Sequence, residues 1–109
     1  MPPRGSAWRN VVAEFRVSER ARADLIDIYE YTAATFGQYQ AEAYYAGLER
    51  TFGLIADFPQ IGPAVDELAS GYRRFRFQSH LIFYTVEIDH IVVRAIIHAA
   101  MNIRPQLFE

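Results

Sequence analysis

Three strand-like runs fill Gly71 to His98 with almost nothing between them, and that spacing constrains the fold more than any other feature. The first, Tyr72 to Phe77, reads YRRFRF; the second, Leu81 to Val86, reads LIFYTV; the third, Ile91 to His98, reads IVVRAIIH. Connections as short as Phe77–His80 and Ile88–His90 are tight turns, so neighbouring strands run antiparallel. Both alternating sets of the middle run, Leu81/Phe83/Thr85 and Ile82/Tyr84/Val86, are largely apolar, which predicts an inner strand covered on both faces. A small sheet that opens on arginines among aromatics is a binding surface first.

Upstream, the hydrophobic period lengthens. Ala13–Val17 is a short strand candidate, and Ser18 followed by Glu19 supplies an N-cap and a first-turn acid. Ala21, Leu25, Ile28, Thr32 and Phe36 recur at helical spacing, Arg20 and Asp24 form an i,i+4 pair, and Gly37 stops the helix. A second helix from Gln38 to Asp57 carries the stripe Ala41, Tyr44/Tyr45, Leu48, Phe52 and Ile55. The brief connection makes the two an antiparallel hairpin. Pro59 and Pro63 close this half, since proline lacks an N–H and excludes helical geometry before it.

Helices and strands in separate blocks mean an α+β fold: an N-terminal short strand, then an antiparallel helix hairpin packed on a small, mostly antiparallel sheet. Residues 1–12 read as a flexible leader, with Val11 or Val12 as an alternative initiator. A single domain is expected over 13–104, and 105–109 form a C-terminal tail.

An apolar fraction of 51% and an aromatic fraction of 15% belong to a folded globule. With no cysteine, disulfides and thiolate metal sites are excluded, which fits a reducing compartment. A net charge of -2 argues against a dedicated nucleic-acid binder. No apolar run reaches membrane-spanning length, so a cytoplasmic location is expected. All eleven basic residues are arginine, which excludes any mechanism needing lysine. Phosphate-binding glycine loops, histidine-based zinc motifs and a nucleophile elbow are missing, so no cofactor or metal is expected.

Arg73, Arg74 and Arg76 alternate along the first strand, Arg74 and Arg76 on one face and Arg73 on the other. Guanidinium forks grip carboxylates and phosphates bidentately, and Tyr72, Phe75 and Phe77 offer stacking surface beside them. The plainer use of such charge is to protect an edge strand from aggregation. His98, on a face with Arg94 and Ile96, is a candidate general base, although a structural contact is the commoner use. His80 and His90, in turns, are expected at solvated surface, as are Asp24 and Asp27 on the first helix. Tyr29, Tyr31, Tyr39, Tyr44 and Tyr45 exceed what one hairpin core can hold, so some are left to cover a partner.

Four places together resemble the ParE toxins of bacterial toxin–antitoxin modules, within the RelE/ParE superfamily. They are Phe15 to Leu25 (FRVSERARADL), Phe58 to Gly62 (FPQIG), Tyr72 to Phe75 with Leu81 to Tyr84, and Ile96 to His98 followed by Met101 and Asn102. The likeness covers Glu14 to Arg104. It implies a toxin that inhibits DNA gyrase by binding, without a cofactor. It also implies neutralisation by a ParD-like ribbon-helix-helix antitoxin, with operator DNA reached only through that antitoxin. Expected antitoxin- or target-contacting residues are Tyr72, Arg73, Arg74, Arg76, Tyr84, His98, Met101 and Arg104. The sister RelE branch cuts mRNA on the ribosome, and of such a catalytic set only His98, Arg76 and Arg94 have candidates here. The chain departs from the pattern at Ala99, Ala100 and Asn102, in the C-terminal segment that the resemblance ties to toxicity, and the alternative is a degenerate, non-toxic antitoxin-binding partner.

Overall fold

A computed structural model describes residues 14–109; the leader expected over 1–12 lies outside the described residues. Strand β1 (Phe15–Val17) leads into helices α1 (Glu19–Phe36) and α2 (Gln38–Asp57). Strands β2 (Tyr72–Phe77), β3 (His80–Val86) and β4 (Ile91–His98) follow, and a 3-10 turn spans Pro105–Phe108. The sheet order is β1-β4-β3-β2, antiparallel except where β1 runs parallel to β4.

Local chemistry sets the element ends. The Ser18 hydroxyl accepts the Ala21 N–H at 3.1 Å and so caps α1. The same oxygen donates to the Arg94 carbonyl at 3.1 Å, tying the helix start to β4. Gly37 alone separates the helices, at φ +99, a conformation that disfavours any side chain. Its N–H closes α1 on the Ala33 carbonyl.

Two apolar clusters sandwich the sheet. On the helix side Leu25, Leu48, Phe52 and Ile55 meet Ile82, Tyr84, Val93 and Ile96. On the far side Val65, Leu81, Phe83, Ala95 and Ile97 are covered by Leu68, Ile103, Leu107 and Phe108. β3 is thus the inner, doubly covered strand that its composition predicts.

One expectation needs correction. The last turn of α1 leaves the core, with Phe36 66% exposed, because only the first half of the helix lies over the sheet. The C-terminal tail packs on the sheet through Leu107 and Phe108. Phe108 sits edge-on to Phe83 at 4.8 Å and to Tyr72 at 5.5 Å, closing the second core.

Candidate functional site

β4 carries a bulge that organises one side of the molecule. Phe83 pairs with Ala95 but Tyr84 pairs with Val93, so Arg94 is the extra residue. Counting back from Val86↔Ile91 without a bulge would set His80 opposite Ile97. The bulge sets it opposite His98 instead. The two rings lie edge to face, with centroids 5.2 Å apart.

Both rings line a groove of about 890 Å³ between α1 and the end of the sheet. Tyr44 reaches in from α2, its hydroxyl 2.7 Å from His80 Nδ1. That hydroxyl accepts the Ser79 N–H at 3.3 Å, and Phe77 O, its other acceptor, is 3.5 Å away. Burial raises the Tyr44 pKa above its usual value. Burial, helped by His98, lowers that of His80, with Asp24 opposing. His80 is therefore half-buried and bonded, contrary to the solvated turn position expected of it. His90 is likewise mostly covered, its Nδ1 2.7 Å from Asp89, whose carboxyl is held below the usual range by that hydrogen bond.

Asp24 is also misread by a simple helical wheel. β1 pairs with β4 only as far as Val93. Beyond it the Asp24 carboxylate accepts the Ile96 N–H at 2.9 Å, and Arg20 lies 3.4 Å from the same oxygen. Arg20 also donates to the Leu107 carbonyl at 2.7 Å. Tyr31 and Met101, 67% and 55% exposed, form the apolar lips of the groove with Phe36.

The basic strand divides by face. Arg73 turns to the helix side and donates to Gly62 O and, at 2.6 Å, to Gln60 Oε1. Phe75 and Phe77 are partly buried against the helix-side core, on the face opposite Arg74 and Arg76. Arg74 and Arg76 lie on the far face with Tyr72, and Arg76 is exposed, its Nε donating to the Gln78 carbonyl at 2.6 Å. Pro63 and Val65 bond to Arg74 and Tyr72 across the outer edge of β2, shielding that end of it.

Tyr84 does not belong to any surface. It is fully buried, donates to Pro59 O at 2.8 Å and accepts the Gly62 N–H at 3.0 Å; burial raises its pKa. Nor does Arg94 share the face of His98. Its guanidinium meets Thr85 Oγ1 at 3.1 Å and Glu87 at 3.6 Å, on the sheet face that carries Phe83. Arg104 is exposed just before the 3-10 turn, where its carbonyl accepts the Leu107 N–H.

Sequence reasoning missed the partnership of Tyr44 with His80 and the role of Asp24 on the β4 edge. Each joins residues distant in sequence and leaves no periodic signal. No group of three or more metal-ligating side chains occurs among the described residues.

Comparison with known proteins places this geometry. The family described as "ParE toxin of type II toxin-antitoxin system, parDE" matches residues 15–103. Toxin ParE1 of Caulobacter vibrioides is 39% identical over 93 residues, covering 85% of this chain and 96% of that protein. Toxin ParE1 of Mycobacterium tuberculosis is 33% identical over 92 residues, covering 84% and 94%. A solved chain titled "Chromosomal ParDE TA system from P. aeruginosa" shares the fold with a TM-score of 0.70 at 16% identity, covering 81% of this chain and 97% of that one.

Proposed function

This chain belongs to the ParE toxin family of type II toxin–antitoxin systems, and from that premise we propose that it acts by docking on DNA gyrase, without turnover of its own. A ParD-like ribbon-helix-helix antitoxin neutralises it and supplies the only link to operator DNA. The site of action is the cytoplasm; no helix among the described residues is long and apolar enough to cross a membrane.

One observation favours binding over RNA cleavage. Cutting a phosphodiester needs a proton-transfer group and cationic stabilisation converging on one phosphate. The three candidates fall on two faces of the sheet. His98 lines the helix-side groove, whereas Arg76 and Arg94 project from the far face, where Gln78, Thr85 and Glu87 hold them.

The test is a gyrase supercoiling and cleavage assay with the purified chain, freed of antitoxin. Inhibition with linear DNA trapped, reversed by a cognate ParD-like ribbon-helix-helix antitoxin, is the expected result. Folded protein that leaves gyrase untouched but cuts ribosome-bound mRNA would overturn the reading.

A further inference from the structure

The groove holds two unpartnered donors at its sheet end. The hydroxyl proton of Tyr44 goes to its nearest acceptor, His80 Nδ1 at 2.7 Å, because the other acceptor, Phe77 O, is 3.5 Å away. On His98, Nδ1 accepts the Ala100 N–H at 3.0 Å. Neutral imidazole with an accepting Nδ1 carries its proton on Nε2, so the hydrogen-bond network assigns both rings the same tautomer. Neither Nε2 has a hydrogen-bond partner among the described residues.

A metal ion does not suit this pair. Coordination through Nε2 would put the proton on Nδ1, and at His98 that proton would oppose the Ala100 N–H. Two N–H donors on rings 5.2 Å apart suit an oxyanion instead, at donor–acceptor distances of about 2.8 Å. Arg20 is already engaged by Asp24 and the Leu107 carbonyl. Asp24 is satisfied by Ile96 and Arg20. Along the rest of the groove Ile28, Tyr31, Phe36 and Met101 supply apolar wall, Thr32 and Gln40 are its uncharged polar side chains, and Asp27 has no salt bridge among the described residues.

We propose that His80 and His98 seat one carboxylate side chain of an apolar antitoxin segment lying in this groove. The occupant rests on the functional reading above; the seat rests on the tautomers and the ring geometry. Complementarity fixes its chemistry. Apolar side chains meet Tyr31, Phe36 and Met101, one Asp or Glu meets the two Nε2–H groups, and Asp27 repels a second acid along the same path.

Asparagine places its amide near the position of Nδ1, and glutamine places its own near Nε2. His98→Asn therefore keeps an acceptor for Ala100 and loses the donor, while His98→Gln keeps the donor. The experiment measures the Kd of a cognate ParD-like ribbon-helix-helix antitoxin for wild type and both variants. It is combined with Asp→Asn and Glu→Gln changes in that protein's toxin-binding half. Expected is a loss of about tenfold or more for His98→Asn, near-complete rescue by His98→Gln, and coupling to a single acidic residue.

Tight binding with equal affinity for wild type and His98→Asn would overturn the seat alone. No binding to wild type would sink the functional reading and this occupant together. Loss of affinity for a short single-stranded oligoribonucleotide, and not for the antitoxin, would assign the seat to phosphate and overturn the proposal. Ring-nitrogen NMR of the free protein is an independent arm: Nδ1–H on either histidine removes the seat whatever the antitoxin does.

Discussion

The carboxylate of Asp24 on α1 accepts the backbone N–H of Ile96 on β4 at 2.9 Å, across 72 residues of sequence. It does for β4 what β1 does three residues earlier, so the sheet edge is completed by a helix side chain. Ser18 continues the same seam, its N–H donating to the Val93 carbonyl and its hydroxyl to that of Arg94.

Asp24→Ala leaves the part-buried Ile96 N–H without its acceptor and is expected to destabilise the chain by about 1–3 kcal/mol. Asp24→Asn retains a carbonyl oxygen and loses less. Urea unfolding of both variants separates the hydrogen bond from the charge; equal losses would mean the ion pair with Arg20 dominates.

Gly62 sits where a methyl group has no room. A Cβ there would lie 2.4 Å from the Arg74 carbonyl oxygen and 2.9 Å from the Tyr84 hydroxyl. Backbone cannot yield cheaply, so Gly62→Ala is expected to destabilise by roughly 1–3 kcal/mol through overpacking. Tyr84→Phe removes the two hydrogen bonds to Pro59 and Gly62 and costs about the same. Thermal denaturation of the double variant is then expected to fall short of the sum, because one contact is shared.

The arginines of β2 divide into separate roles. Arg73→Ala is expected to lower the melting temperature, since Arg73 anchors Gly62 and Gln60. Arg74→Glu with Arg76→Glu is expected to leave melting nearly unchanged while weakening antitoxin or gyrase binding. If that double variant binds both as wild type does, the basic strand is edge protection only.

Phe108→Ala opens the second core at Phe83 and Tyr72 and is expected to cost about 1–3 kcal/mol, the partial exposure of the ring keeping it below a full core deletion. Reduced toxicity of a chain truncated before Pro105 would then come with a lowered melting point. Truncation that abolishes toxicity at unchanged melting would assign the turn to direct contact.

His80 makes stability pH-dependent. Burial first, then His98, lowers its folded pKa below the 6.5 of an unfolded histidine, with Asp24 acting the other way. Tyr44 from α2, and Asp24 and Arg20 from α1, line the same groove. Below about pH 6.5 the unfolded chain therefore binds more protons than the folded one. The contribution is complete above that pH and is lost as pH falls through the folded pKa. Wild type is expected to melt earlier at about pH 5.5 than at about pH 7.5, with a smaller difference in His80→Gln.

Local chemistry made much of the fold legible. Ser18, Gly37 and the proline pair at 59 and 63 act on their own neighbours, and LIFYTV needs no partner to declare both faces apolar. Family membership was legible as well, because it lives in the order of short motifs along the chain. The site was legible only in part. Arg74 and Arg76 share the face that strand alternation assigns them, but alternation fails at a bulge. One extra residue at Arg94 shifts every later position of β4, placing His98 opposite His80 and Arg94 on the other side of the sheet. Tyr84 carries a polar group that reads as surface until Pro59 and Gly62 close over it. Sequence determined the elements, since propensity, capping and hydrophobic period are local. Tertiary structure alone decided register, face and hydrogen-bond partner, which depend on groups brought together from far along the chain.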